Sequence, residues 1–340
     1  MYALCKMLEK TGNEVKIIDY VPDYPNYSGG IKQQIANVLN YRTDKIKKQK
    51  YAQFKKDYLA NNMTKPYTYN ELADAEKDFD LFITGSDQLW NYHCGHFDKY
   101  YFLDFVSDKS KRCSYAVSFN LECIPEHAKE EYVRRLNGMN RISVREDAGV
   151  KAVKELIGVD CEKHCDPTLL LTKSDWESVL PPVNIKEKYI AIYTLGKPIN
   201  LVKQARELAK KTGCKLLYLS DFYGDLDIKN LRGLGPMEFV SYLANAEYVF
   251  TNSFHGTAFS VNLHKNFFAE VNTLSRYNYR AEALLKACGL MNRTIEQCKD
   301  VFEESKKPID FNAVENVLNL ERNRSEKYFN EILNGCQNFE

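Results

Sequence analysis

Residues Glu247–Leu263 read EYVFTNSFHGTAFSVNL. Glu247–Thr251 is an aromatic and β-branched run of strand length, and Gly256–Leu263 carries the small and apolar residues of a buried helix. Between them, Asn252–Gly256 supplies turn-forming polar residues and a glycine. A strand that feeds a helix through so short a turn is the repeating unit of a parallel α/β sheet. The alternation continues on both sides. Tyr189–Tyr193 (YIAIY), Lys215–Leu219 (KLLYL) and Asn266–Ala269 read as strands. Ile199–Lys211, closed by Gly213, and Met237–Ala244, opened by Gly235-Pro236, read as helices, with Pro236 at a permitted first-turn position.

Towards the N-terminus the pattern is less regular. Tyr2–Lys10 reads as a helix and Glu14–Tyr20 as a strand, so the chain is expected to begin one strand late, its N-terminal lobe lacking a first strand. Phe79–Thr84 (FDLFIT), Lys111–Ser118 and Arg141–Val144 read as further strands, with helices at Glu126–Asn137 and Asp147–Leu156. The charged segment Ile31–Lys65 suggests one or two exposed helices, and Phe311–Leu333 a long charged helix. Pro181-Pro182 is the best hinge. The expected organisation is α/β: a Rossmann-like domain at 1–182 with a helical excursion near 31–65, a second at 183–310, and a helical tail at 311–340.

Bulk composition narrows the function. The chain has 340 residues, 44% hydrophobic and 27% charged, with 47 basic and 46 acidic residues and a net charge of +1. That is the balance of a globular protein and gives no global field for nucleic acid. An anionic ligand would have to be met by local charge or helix ends. No stretch approaches the roughly 18–20 apolar residues of a membrane span, and the N-terminus lacks the apolar core of a signal peptide, so a cytoplasmic location is expected. The 10 cysteines are scattered, with no CxxC pair, and are expected to be reduced.

In parallel sheets ligands gather beyond the carboxyl ends of the strands. Three turns there carry candidate chemistry. Gly85–Asn91 (GSDQLWN) packs Ser86, Asp87, Gln88 and Asn91 around Trp90. Hydrogen-bonding side chains beside an indole suit a sugar, although the same residues serve a helix-capping turn with Trp90 as a core anchor. In Asn252–Gly256 and Thr257, a helix N-terminus with hydroxyls at Ser253 and Thr257 suits a phosphate or carboxylate. Histidine is the side chain suited to proton transfer near neutrality, so His255 there is a candidate acid/base, or is a structural hydrogen-bonder. Arg145 ends the strand at Ile142–Val144 and offers a planar fork to an anion, or a salt bridge to Glu146, Asp147 or another acid. His93-Cys94-Gly95-His96 and Cys161–His164-Cys165 lack paired partners at zinc spacing, so no metal is expected. No G-x-G-x-x-G or Walker motif occurs, so no cofactor is expected.

Taken in order, Asp80–Asn91 (DLFITGSDQLWN), Ser143–Asp147 (SVRED), Asp166–Leu169 (DPTL) and Met237–Gly256 (MEFVSYLANAEYVFTNSFHG) resemble the polysaccharide pyruvyl transferase family, over roughly residues 1–275. The resemblance implies a fold like the GT-B glycosyltransferases, two Rossmann-like domains facing a cleft. It implies phosphoenolpyruvate as co-substrate, a pyruvate ketal on two sugar hydroxyls as product, and phosphate as leaving group. Under it His255 is the catalytic acid/base. Arg145, Asn252, Ser253, Gly256 and Thr257 bind the donor, and Ser86, Asp87, Gln88, Trp90 and Asn91 line the acceptor side. Many members carry an arginine where this chain has Ser253; its work would pass to Arg145, Arg276 or Arg280, or the substrate differs. The expected partner is a glycan or lipid-linked sugar, with no nucleic acid and with room for peripheral contact with a membrane-bound acceptor. Two other readings fit the residues: a GT-B glycosyltransferase or sugar-nucleotide epimerase, which would need a nucleotide, and a non-catalytic sugar-binding relative.

Overall fold

The computed structural model describes residues 1–22, 31–68, 70–93, 97–120, 124–220, 225, 227–272 and 278–337. The chain divides into two compact units. Unit 1 comprises Met1–Pro25, Asn61–Leu170 and Asn319–Glu340; unit 2 comprises Asn26–Ala60 and Leu171–Leu318.

Unit 1 opens on α1 (Tyr2–Glu9), whose Ala3, Leu4, Cys5, Met7 and Leu8 are buried, and continues into β1 (Ile17–Val21). β1 pairs in parallel with β2 (Met63–Thr68), a strand carrying Pro66 that the apolar pattern does not announce. β3 (Phe82–Thr84) pairs in parallel with β4 (Arg112–Ser114), and β5 (Ser143–Val144) with β6 (Glu162–Lys163). Single bridges Cys113↔Arg141 and Val117↔Val144 join the two pairs. Helices α3 (Lys129–Leu136) and α4 (Asp147–Ile157) lie between these strands in the chain. Tyr132, Val153 and Phe119 close over them in one core cluster.

Unit 2 holds a five-stranded parallel sheet. Its elements are β7 (Tyr189–Tyr193), α6 (Leu201–Thr212), β8 (Lys215–Leu219), β9 (Lys229–Leu231), α7 (Pro236–Ala244), β10 (Tyr248–Thr251), α8 (Phe254–Asn262) and β11 (Asn266–Ala269). Before them come α2 (Ile31–Tyr58) and α5 (Lys173–Glu177); after them α9 (Tyr279–Ala287), α10 (Val301–Ser305) and the start of α11 (Phe311–Gln337). The strand order is β11-β10-β7-β8-β9. Ile190, Ile192, Val249, Phe250, Phe267 and Phe268 are fully buried, as expected of strands covered by helices on both faces. The chain leaves β7 towards β8 on one side, while β10 and β11 lie on the other. The order therefore reverses between β7 and β10, and the crevice beyond their carboxyl ends is where such sheets bind ligands.

The α/β expectation holds in both units, but the expected boundaries at 182/183 and 310/311 are corrected. Residues 171–182 belong with unit 2: Leu171 O accepts from Asn262 Nδ2 (2.9 Å), Trp176 packs edge-on against Phe259 at 5.2 Å, and Pro181 O accepts from Ser241 Oγ (2.8 Å). The excursion is the single helix α2, tied to unit 2 through Lys50–Glu238 and Arg232–Asn40. The tail is helical, as expected, but is not a separate segment. Tyr328, Phe329 and Ile332 lie in a core cluster with Leu4, Tyr115 and Leu170. Tyr328 also donates its hydroxyl to Ser114 O (2.7 Å). Charged residues at the outer positions of α11 hid this buried stripe.

Behind β5 lies His164, its side chain fully enclosed, with Nδ1 at 2.7 Å from Ser143 Oγ and its ring against Tyr115 and Tyr328. Burial, helped by the charge of Arg324, pushes its pKa down to about 4. In the window below its ordinary value the unfolded chain binds a proton that the folded chain refuses. Stability is therefore complete above pH ~6.5 and falls by up to about 1.4 kcal/mol per pH unit as the pH drops towards ~4. Urea midpoints measured from pH 4 to 7 should show this extra slope in the wild type and lose it in His164→Asn. Equal slopes would contradict the assignment.

Candidate functional site

In unit 1 the turn after β3 begins at Gly85, where a Cβ would sit 2.3 Å from the carbonyl oxygen of Tyr115 on the neighbouring segment. That close approach holds the turn against the β4 extension, with Ser118 N donating to Ser86 O at 2.9 Å. Gln88 Oε1 accepts from Asn91 Nδ2 (2.9 Å) and Asn120 Nδ2 (3.0 Å). Asp87 is exposed and Gln88 half-buried, whereas Ser86, Trp90 and Asn91 are buried.

Trp90 corrects the expectation of a sugar-stacking ring. It is fully buried, stacked on Phe102 at 5.0 Å and 7°, with Phe119 edge-on at 5.5 Å and its Nε1–H donating to Tyr101 O (3.0 Å). Both its apolar faces and its donor are used within the core.

Arg145 is corrected in the same sense. Its guanidinium, 4% exposed, bonds Asp87 Oδ1 at 2.9 Å and Glu146 Oε1 at 3.3 Å, and also pairs with Asp166. Burial alone would weaken its charge, but the fields of Asp166, Glu146 and Asp87 outweigh that and hold its pKa above the ordinary arginine range. Three carboxylates thus surround the one guanidinium, which holds the exposed Asp87 carboxylate in place. Ser118 Oγ–H donates to Glu146 and completes the frame.

In unit 2 the switch point between β7 and β10 carries two helix N-termini, those of α6 and α8. At α6, the carboxylate of Glu270, 2% exposed, accepts from Asn200 N (2.6 Å), Ile199 N (2.8 Å) and Leu201 N (3.0 Å). The chain's own acid fills that end. At α8, among the described residues, no acid accepts from the helix end. Ser253 is the N-cap but makes no side-chain cap hydrogen bond. Its Oγ and the Nδ2 of Asn252 are buried polar atoms without a hydrogen-bond partner. Unsatisfied groups of this kind are rare in native interiors, and a water or a ligand would satisfy them. Asn252 is held by Leu195 N donating to its Oδ1 (2.7 Å) and by Asn278 Nδ2 donating to its carbonyl (3.0 Å).

His255, half-buried, follows in the first turn of α8, edge-on to Phe254 at 5.3 Å. Gly256 sits where a Cβ would lie 2.2 Å from Thr251 Oγ1, so α8 descends flush onto the end of β10. Thr257 Oγ1–H donates back to Ser253 O (3.0 Å), so that hydroxyl is engaged within the helix. The structure thus groups Asn252, Ser253, His255, Gly256 and Thr257 at one helix end in unit 2. Asp87 and Arg145 meet in unit 1, and Gln88 lies in the same turn, bonded to Asn91 and Asn120. Sequence reasoning did not name Glu270 or Asn278; a lone acid after a strand and an Asn before a helix are the only local signals either gives. Arg276 lies outside the described residues.

These features define a parallel α/β protein with two unpartnered buried polar atoms at a helix N-terminus, beside a histidine, at a topological switch point. The sequence profile of the polysaccharide pyruvyl transferase family matches residues 1–272, and the chain belongs to that family. No curated protein matched the chain. Among solved structures it is similar to Staphylococcus aureus MnaA, solved with UDP (12% identity, 94% of this chain and 86% of that one, TM-score 0.48). It is also similar to the UDP-GlcNAc 2-epimerase of Methanocaldococcus jannaschii (15% identity, 94% and 90%, TM-score 0.42). Likenesses this distant do not bear on chemistry.

Two substitutions test the geometry. Arg145→Met leaves Glu146 and Asp166 buried without their cation and should cost about 3–5 kcal/mol by chemical denaturation. A loss under about 1 kcal/mol would contradict the cluster. Gly256→Ala should cost about 1–3 kcal/mol by overpacking. That cost should shrink when Thr251→Ala removes the atom it meets, and an undiminished cost would show that the contact is unimportant.

Proposed function

We propose that the protein transfers pyruvate from phosphoenolpyruvate to two hydroxyls of a sugar, forming a ketal during assembly of a surface or exported polysaccharide. Family membership supports a transferase of this kind, and one observation carries the donor assignment. The α8 end keeps a buried hydroxyl and a buried amide N–H₂ without partners, while the α6 end is already filled by Glu270. A phosphate or carboxylate placed at α8 would satisfy those groups and the first N–H groups of the helix together.

The reaction needs three things. The enol methylene of phosphoenolpyruvate must take up a proton, sugar hydroxyls must lose theirs as they bond to the second carbon, and phosphate must leave with the electrons of its C–O bond. His255, one residue into α8, is assigned the proton transfer. Asn252, Ser253 and the first N–H groups of α8, up to Gly256, hold the donor's anionic groups as charge redistributes; both donors of Thr257 are taken by Ser253 O. Asp87, presented by Arg145, and Gln88 are assigned to sugar hydroxyls; a carboxylate and an amide are the usual partners of such groups. The acceptor is a glycan or a lipid-linked sugar. Among the described residues no helix is long and apolar enough to cross a membrane.

Phosphate release from phosphoenolpyruvate, followed with a lipid-linked glycan acceptor, should fall about 10²–10⁴-fold in His255→Ala. An undiminished rate would remove His255 from the chemistry. Thermal stabilisation by nucleotide sugars, and none by phosphoenolpyruvate, would overturn the transferase reading in favour of nucleotide-sugar chemistry.

A further inference from the structure

A net charge near zero conceals an uneven distribution. α2 carries eight lysines and arginines against two aspartates, so the rest of a chain with 47 basic and 46 acidic residues is net acidic. A local excess of this size on one helix is the footprint of an anionic partner.

The packing of α2 decides which face is offered. Lys50 Nζ pairs with Glu238 at 2.5 Å, and Thr43 O lies 3.2 Å from where a Cβ on Gly233 would stand. The Tyr58 hydroxyl donates to Val179 O at 3.2 Å. These contacts turn one side of the helix towards the rest of unit 2. At 3.6 residues per turn, Arg42, Lys45, Lys48 and Lys56 fall on the opposite side, within an arc of about 120° and a length of about 21 Å. All four are exposed and, among the described residues, none is paired with an acid. Over residues 41–58 that arc otherwise holds Tyr41, Gln49 and Ala52, and both aspartates of α2 lie outside it. Tyr41 is 66% exposed.

We propose that this stripe of α2 docks the protein on an anionic phospholipid surface. A helix with its cations in one row meets a flat sheet of headgroup phosphates along its length, and an exposed tyrosine among them suits the headgroup level. Apart from Tyr41 and Ala52 the arc has nothing apolar to insert, so the attachment is electrostatic and weakens as salt screens it. The choice of a bilayer over a nucleic acid rests on the lipid-linked acceptor of the proposed function, and it extends that reading by naming the surface that meets the membrane.

Co-sedimentation of the full chain with vesicles tests this. The vesicles are phosphatidylcholine alone, or phosphatidylcholine mixed with phosphatidylglycerol, at about 0.1 M and about 0.5 M salt. The wild type should bind only the anionic vesicles and be released at the higher salt. At roughly fivefold per basic residue, Arg42→Gln, Lys45→Gln, Lys48→Gln and Lys56→Gln together should weaken binding about 10²–10³-fold. Lys151→Gln, Lys154→Gln, Lys306→Gln and Lys307→Gln together remove the same charge from exposed positions elsewhere and should leave binding at the wild-type level. Three results would each overturn the inference: no binding of the wild type to anionic vesicles, equal binding by the stripe variant, or displacement of the bound wild type by an equal phosphate concentration of single-stranded RNA. Binding is read without turnover. A chain that docks as expected yet releases no phosphate from phosphoenolpyruvate keeps this inference and loses the pyruvyl-transfer reading.

Discussion

The buried carboxylate of Glu270 decides how unit 2 can be used. A parallel sheet that reverses direction between β7 and β10 brings two positive helix ends to one crevice, and an anion entering it could choose either. Glu270 follows β11, with its backbone N–H on Thr251 O, and its side chain takes three N–H groups of the α6 end. That satisfies donors which would otherwise be orphaned and leaves α8 as the open end. The other features follow from this division: Gly256 lets α8 begin flush against β10, and Leu195 and Asn278 hold Asn252 from opposite sides.

Unit 1 is arranged differently. There one arginine is surrounded by Asp87, Glu146 and Asp166, and only Asp87 among the three is exposed. The proposed function assigns the acid-bearing turn of one unit to sugar hydroxyls and the α8 end of the other to the donor anion.

Much of this was legible in the residues, and the misses have physical causes. YIAIY, KLLYL and NFFA are short apolar runs between turn signals, and β7, β8 and β11 fall on them residue for residue. β2, β6 and β9 were not read, because Pro66 and charged residues such as Glu162, Lys163 and Lys229 mask strands of two to six residues. The turns at 85–91 and 252–256 were found because glycine and polar residues stand directly after strands. The roles of Trp90 and Arg145 were not fixed by that pattern. Whether an indole faces solvent or Phe102, and whether a guanidinium meets a ligand or Asp166, depends on residues far away in the chain. Glu270 was invisible for the same reason: its partners lie some seventy positions earlier, and only the closed sheet brings them together.

The central claim is that the α8 end, and not the α6 end, receives the donor anion. Amide hydrogen exchange of the full chain with and without phosphoenolpyruvate addresses it segment by segment. Slower exchange confined to the turn at residues 252–257, with residues 199–201 unchanged, is the predicted result. Protection at residues 199–201 without protection at 252–257 would contradict it.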